Sequence, residues 1–298
     1  MLFRSQIALA LVWLLDAALQ YQPFMFTHRF VTQILEAAAG GNPAVVLTPA
    51  MWAARLIGHD VAAWNAAFAT IQLAIAVGML WRPTVRIALA ASIAWSLGVW
   101  WLAEGMGEVL TGTANPVTGA PGAVILYALA AVLVWPQRGS DPRSGGIAAA
   151  SPLGDLWSRA TWLVLWGSFA YLILQPAVRA PRALAGTIAG NTAGEPGWLA
   201  ALDRGTAAAV GSHGLAVSIV LAVIFAVVAV GILFAPAART ALILATVVGL
   251  AIWVIGENFG GILTGQGTDP NSGLLLILLI AAYWPIRAES AAPPGASR

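Results

Sequence analysis

The chain has 298 residues, of which 60% are hydrophobic and only 9% are charged, and its mean hydropathy is +0.84. About a quarter of the residues of a soluble globular protein are charged, so this composition excludes a water-soluble enzyme and a nucleic-acid-binding protein. It predicts a protein whose principal partner is the lipid bilayer. The net charge of +2 leaves no polybasic surface, and the lack of Cys excludes disulfides and thiolate metal sites.

Eight apolar segments have lengths suited to helices that cross a bilayer, which takes roughly 20 residues. Helices are the expected form because a spanning segment must satisfy its backbone hydrogen bonds internally. In chain order, the segments lie near residues 7–22, 63–81, 85–103, 121–136, 157–175, 213–235, 237–256 and 270–285. We therefore predict an all-α integral membrane protein with about eight transmembrane helices.

Polar intervals between these segments carry most of the sites at which chemistry is conceivable. The intervals 23–62 and 176–212 contain apolar residues at helical spacing, so we expect short helices lying on the bilayer surface. The intervals 104–120 and 257–269 are rich in Gly, Thr and Asn directly after a spanning segment. All four intervals are predicted to face the same side of the membrane.

The two halves of the chain are similar at a fixed offset. The segment WWLAEGMGEVLTG around Glu104 recurs 153 residues later as WVIGENFGGILTG around Glu257. The same offset joins Trp13 to Trp166, and it falls to 149 in the last helix of each half. Each half has four spans, an even number, so we predict two parallel four-helix repeats related by an axis along the membrane normal.

The repeat defines the predicted parts of the chain, and the distribution of Arg residues predicts its orientation in the membrane. The predicted parts are a first four-helix repeat (1–136), a cytoplasmic linker (137–156), a second four-helix repeat (157–286) and a disordered tail (287–298). Nine of the 14 Arg residues fall on the side of the linker and five on the other. The positive-inside rule then predicts a multi-pass protein of the bacterial inner (plasma) membrane with both termini in the cytoplasm.

Glu104 and Glu257 are the main candidate site residues. A carboxylate beside an apolar helix end is costly unless it is hydrated or paired. Arg29 and Arg182 lie at positions related by the same offset, so we predict that each Glu pairs with the Arg of its own repeat. The alternative is that both carboxylates are solvated at the level of the lipid headgroups.

Further candidates are an intramembrane acid and a set of polar loop residues. Asp16 lies within the first predicted span, where its counterpart is Phe169, and an acid at that depth is a functional candidate. We expect any ligand pocket to open to the outer side at the interface between the repeats. Its predicted border consists of Glu104, Thr111, Glu257, Asn258 and Thr264.

The identity of a ligand is constrained only by charge. Glu108 of the first repeat corresponds to Gly261, so the first half carries an extra carboxylate and favours a cationic or hydrogen-bond-donating ligand.

Turn formation alone explains the two Thr-Gly pairs, and Asp269 before Pro270 has the pattern of a helix cap. The three His residues are scattered, so we expect no metal site.

The segment IQLAIAVGMLWRPTVRIALAASI resembles the signature of the DoxX/DoxD/MauE superfamily of four-helix membrane proteins, and SIVLAVIFAVVAVGILFAPAARTALIL repeats most of it. The resemblance implies a fused pair of four-helix units that serves a quinone-linked membrane redox system, with quinone as the implied cofactor. At the second-helix position that is commonly Glu in that superfamily, this chain has Gln72 and, in the second copy, Phe225.

Two other functions stay open. The chain could be a transporter or lipid-handling protein with a site at the repeat interface, or a non-catalytic assembly subunit of a membrane-protein complex. The sequence contains no cofactor fingerprint, nucleotide motif or catalytic triad, so it supports no enzyme class.

Overall fold

The structure is a computed structural model that describes residues 2–136 and 149–284. Most of the predicted linker and the predicted tail lie outside these residues, as do Arg138, Arg143, Arg287 and Arg298. The described residues form helices joined by turns, without strands. The helices are α1 Leu2–Leu19, α2 His28–Phe30, α3 Glu36–Ala39, α4 Ala44–His59, α5 Val61–Leu80, α6 Val85–Leu102, α7 Ala123–Leu133, α8 Ala150–Leu172, α9 Ala183–Gly190, α10 Gly197–Val210, α11 Gly214–Gly231, α12 Ala235–Ala251 and α13 Asn271–Ala282.

Among the described residues, four helical segments are long and apolar enough to cross a membrane, which indicates a membrane protein. They are α5, α6, α11 and the stretch Ala235–Thr264, which continues α12. Three more apolar helices, Ser5–Leu19, Ala123–Leu133 and Asn271–Ala282, are shorter. A helix lies at each of the eight predicted apolar segments, so their helical form is confirmed, whereas the number of membrane crossings stays a prediction.

The predicted boundaries differ in two places. The first helix ends at Leu19, before the predicted end of the first span near residue 22. The helix of the fifth predicted span begins at Ala150, inside the predicted linker, and is broken at Gly154, where φ is +78°. The intervals 23–62 and 176–212 contain short helices as predicted: α2–α4 occupy the first and α9–α10 the second.

Eight of the helices pack in two groups of four. In the first group, α1 packs on α5, α5 on α6 and α6 on α7; in the second, α8 packs on α11, α11 on α12 and α12 on α13. The groups meet where α7 contacts α13, and one apolar core runs through both. Residues 20–60, 103–122, 173–213 and 257–270 lie at one end of this bundle, which we call the loop end.

An unusual turn follows α6 and α12 at the loop end. Four consecutive residues, Gly105–Glu108, have positive φ values between +54° and +60°, and residues 258–261 have values between +48° and +74°. L-residues adopt this conformation at a cost that glycine avoids. At Gly107 an added Cβ would also lie 2.0 Å from the carbonyl oxygen of Pro121. The turn therefore holds the loop closely against the start of α7.

Candidate ligand cavity

The first helix group encloses a cavity of about 420 Å³ between α1, α5 and α6. Helix α4 and the segment 28–39 cover it at the loop end. Most of its wall is apolar and much of it is aromatic, with Phe68 and Trp95 in edge-to-face contact at 5.6 Å between ring centroids. The aromatic lining residues are Trp13, Phe30, Trp52, Trp64, Phe68 and Trp95. An apolar cavity of this size with a few polar groups is typical of small-molecule sites.

Three carboxyl groups lie in the wall of the cavity. Asp16 comes from α1, Glu104 from the turn after α6, and Asp269 from the loop before α13 in the other helix group. Asp16 is 2% exposed, and its carboxylate accepts a hydrogen bond of 2.6 Å from the hydroxyl of Tyr127. The structure thus brings together two predicted site residues and one, Asp269, that sequence analysis assigned only to helix capping.

Glu104 and Asp269 accept hydrogen bonds from backbone groups at helix starts. The backbone N–H of Val124, at the start of α7, donates to both oxygens of Glu104 at 3.3 and 3.4 Å. Burial, reinforced by repulsion from Asp269, raises the pKa of Glu104 to about 8, against the lowering effect of its backbone hydrogen bonds. Asp269 accepts from the N–H of Asn271 at 2.7 Å, as a cap does, and burial also raises its pKa. Glu104 is therefore positioned to hold a proton near neutral pH.

Two glutamine oxygens in the cavity wall lack hydrogen-bond partners. Gln20, just after α1, is 6% exposed and Gln72 on α5 is 8% exposed, and Oε1 of each has no partner among the described residues. Buried polar atoms in native proteins are nearly always hydrogen-bonded, and leaving one unpaired costs about 1–3 kcal/mol. These two acceptors therefore favour a ligand that donates hydrogen bonds.

A second, polar cavity of about 270 Å³ adjoins the first toward the loop end. Glu104 and Asp269 line both cavities, so their carboxyl groups lie between an apolar space inside the helix group and a polar space among the loops. The other polar side chains of the second cavity are Glu108, Asn115, Thr118, Thr268 and Asn271. This arrangement gives the carboxyl groups access from the loop end.

The corresponding space in the second helix group is filled by aromatic rings. Phe169 and Phe225 occupy the positions that correspond to Asp16 and Gln72, and their ring centroids are 5.6 Å apart. Trp166 contacts both rings, at 5.3 and 6.1 Å. All three side chains are fully buried, and none lines either cavity. The first helix group thus has polar side chains beside a cavity where the second helix group has packed aromatic rings.

Glu257 makes the same backbone hydrogen bond as Glu104 but lines neither of the two cavities described above. It accepts from the N–H of Gly273, at 2.8 Å, and from the hydroxyl of Ser272. Gly273 corresponds to Val124 at the offset of 149. Glu257 is buried but lines neither cavity, so its contacts explain it as a structural residue.

The predicted pairing of Glu104 with Arg29 and of Glu257 with Arg182 is wrong. Both Arg side chains are exposed, and within residues 2–136 and 149–284 neither lies at ion-pair distance from either Glu. The physical reason is that the buried carboxylates accept from backbone N–H groups at the starts of α7 and α13. A guanidinium would have to lose its hydration to reach them.

The predicted outer pocket is bordered differently from the expectation. Glu104 lines both cavities, but Thr111, Glu257, Asn258 and Thr264 line neither. The hydroxyls of Thr111 and Thr264 each donate to a backbone carbonyl three residues earlier, at 2.7 and 2.6 Å. The turn-forming explanation of both Thr residues is therefore confirmed.

Comparisons with known proteins give no relative from which a function could be transferred. No family model, no curated protein and no solved structure matches this chain. The function must therefore be inferred from the cavity itself.

Proposed function

We propose that the chain crosses the membrane eight times as two parallel copies of one four-helix unit. Paired hydrogen bonds support this view: the indole of Trp100 donates to the carbonyl of Pro121 at 2.7 Å, and that of Trp253 to Pro270 at 2.8 Å. The backbone bonds of Glu104 and Glu257 form a second such pair. The Arg distribution favours an inner-membrane protein with cytoplasmic termini and an outward loop end.

The function we propose is binding of a reduced quinone by the first unit, in the service of a membrane redox system such as the DoxX-like resemblance implies. The observation that carries this proposal is the cavity, with aromatic walls and acceptor groups in its lining. The hydroxyls of a quinol donate hydrogen bonds, which Gln20, Gln72 and the carboxylates can accept. Its ring fits beside Trp64 and Phe68 as aromatic pairs do.

In this function the protein binds and orients its ligand. An electron acceptor would be supplied by a partner in the membrane, and no oxidation step is assigned to this chain. The bilayer would deliver the isoprenoid part of the ligand, since quinols partition into lipid. The protein would then be an accessory subunit rather than an enzyme.

A second candidate ligand is an amphipathic ammonium ion carried by a transporter or lipid-handling protein. Three carboxyl groups line the cavity, and no Arg or Lys is among its lining residues. Aromatic rings also attract ammonium groups. This candidate differs from quinol in charge, so one titration with both compounds distinguishes them.

The test measures ligand binding to purified full-length protein in detergent. Quenching of tryptophan fluorescence is the readout. A short-chain quinol, the matching quinone and an alkyltrimethylammonium salt are titrated separately. We expect saturable quenching by the quinol. When binding is measured above the Glu104 pKa of about 8, where the carboxyl group is ionised, replacement of Glu104 by Gln should weaken binding about tenfold or more, as loss of a charged hydrogen-bond acceptor does.

Glu257→Gln is the matched control, because Glu257 has the same backbone bond but lines neither cavity. It should leave quinol binding unchanged in the fraction of protein that folds. Saturation by the ammonium salt alone would replace quinol by the second candidate. If no compound quenches the fluorescence and mass spectrometry of the purified protein recovers no small molecule, the ligand-binding proposal is wrong. The remaining function would be that of an assembly subunit.

A further inference from the structure

A second polar cluster lies at the loop end of the other helix group, away from the cavity. It contains three buried oxygen atoms that have no hydrogen-bond partner within residues 2–136 and 149–284: Oδ1 of Asp203, Oδ1 of Asn258 and Oε2 of Glu195. Asp203 is 0% exposed and Asn258 is 2% exposed. A buried carboxylate with a free oxygen is costly unless a cation or a donor satisfies it.

The hydrogen bonds of the cluster fix the orientation of the Asn258 amide. Its Nδ2 donates to Oδ2 of Asp203 at 2.8 Å and to the carbonyl of Asn191 at 3.0 Å. Both partners are acceptors, so this end of the amide must be the NH₂ group and the other end must be the oxygen. The amide group that carries the unpartnered oxygen is thus fixed against the carboxylate of Asp203.

Glu195, just before α10, completes the set. Its Oε2 atom is one of the buried oxygens of the cluster. In the first half, Asn42 and Gly105 lie at the positions of Glu195 and Asn258, and a Cβ added at Gly105 would lie 2.8 Å from Nδ2 of Asn42, so the equivalent side chains of the second half are expected to be neighbours. Within the described residues no three His, Cys, Asp or Glu side chains are grouped to hold a metal ion, so a cation here would need the amide oxygen as well as the two carboxylates.

The local backbone does not require these side chains. At the offset of 153, the first half has Asn42, Ala50 and Gly105 in place of Glu195, Asp203 and Asn258. Gly105 has φ of +54° and Asn258 has φ of +48°, so the same turn forms with no side chain at this position. Two acids and an amide in the second half are therefore additions to a turn that can be built without them.

We propose that Asp203, Asn258 and Glu195 bind a hard divalent cation, Ca²⁺ in preference to Mg²⁺. Oxygen atoms from carboxylates and amides are the ligands that Ca²⁺ prefers, and its coordination shell of six to eight oxygens tolerates irregular geometry and several waters. With three protein side chains, the affinity should fall in the range of about 10⁻⁴–10⁻³ M that is typical of extracellular sites. The site does not depend on the proposed quinol function.

The test is the thermal unfolding of full-length protein in detergent after treatment with a chelator. Added CaCl₂ should raise Tm with saturation, whereas NaCl at the same ionic strength should not. Asp203→Ala and Asn258→Gly introduce the residues of the first half, which the same local backbone accepts, and should abolish the response. Asp155→Asn, at an exposed carboxylate outside the cluster, should preserve it.

A second measurement covers the case in which the variants fold poorly. Tb³⁺, which replaces Ca²⁺ in oxygen sites, should show luminescence excited through Trp198, whose ring lies 6.3 Å from that of Phe259, the residue next to Asn258. Trp198→Phe should reduce this emission, and Ca²⁺ should displace it. An unchanged Tm in all salts, an equal response to NaCl, or an equal response in Asp203→Ala would overturn the proposal and leave water as the occupant.

Discussion

Replacing Gln72 by Phe should stabilise the protein and remove its ligand site at the same time. The second helix group has Phe225 at this position, fully buried against Phe169 and Trp166. In the first group the same position carries an amide whose oxygen has no partner and which lines the 420 Å³ cavity. The substitution therefore places in the first helix group the residue that helps to fill the corresponding space in the second helix group.

The expected gain in stability has two sources. Removing a buried unpaired acceptor recovers about 1–3 kcal/mol. A phenylalanine ring that fills the cavity also gains van der Waals contacts, and part of this gain is lost because the ring would lie near the polar Asp16 and because some strain is expected. A net increase of about 1–3 kcal/mol in the free energy of unfolding is the result, with quinol binding lost because the ring fills the ligand space.

The assay combines unfolding in detergent with the fluorescence titration described above. The reciprocal variant, Phe225→Gln, should lower the free energy of unfolding by about 3 kcal/mol or more, because it loses a buried ring and buries an amide. It should not affect binding. Destabilisation by Gln72→Phe would show that Gln72 is a structural residue, and stabilisation with intact binding would show that the cavity is not the ligand site.

Three further predictions concern the second helix group, the Glu104 carboxyl and the turn after α6. In the first half the indole N–H of Trp13 donates to the hydroxyl of Ser92 at 3.0 Å, and at the offset of 153 the corresponding residues are Trp166, whose indole N–H has no partner among the described residues, and Ala245. Ala245→Ser should therefore add about 1 kcal/mol to the free energy of unfolding by giving Trp166 an acceptor; no gain in chemical denaturation would contradict it. Glu104 keeps its proton up to a pKa of about 8 when folded but releases it near 4.5 when unfolded, so stability should fall as pH rises through this window and the Gln variant should flatten the profile; parallel profiles would refute the assignment. Gly107→Ala should destabilise the protein far more than Gly112→Ala. Both glycines have positive φ, but an added Cβ collides with backbone atoms only at Gly107. Equal decreases in Tm would show that this collision does not occur.

The sequence predicted the helices well because long apolar segments have few alternatives. Their positions follow from hydrophobicity and from Pro and Gly at their ends, which are local properties. The offset of 153 also identified the pairs Asp16/Phe169 and Gln72/Phe225 from the sequence alone. The structure adds that these four residues account for the cavity in the first helix group and for its absence at the same place in the second. That difference depends on side-chain packing, which the sequence does not show.

The site itself was only partly predictable. Asp16 and Glu104 were candidates as acids at apolar helices, but Asp269 looked sufficient as a cap because its contact with the cavity depends on how α13 packs against α7. The Arg partners were wrong because the sequence does not reveal which backbone N–H groups point at a carboxylate. Gln20 was missed since a single Gln near a helix end carries no signal, whereas its burial without a partner is visible only in three dimensions.

The position of Asp269 has a consequence for how such a protein can be divided. The loop that carries it belongs to the second half of the chain, yet the carboxyl group lines the cavity of the first half. A chain cut between residues 136 and 149 would produce a first half that lacks one of its three acids until the second half docks on it. The corresponding residue of the first half is Ala120, so a homodimer of first halves could not replace the missing acid. Co-expression of the two fragments should therefore restore ligand binding that neither fragment has alone, which makes binding a direct readout of their association.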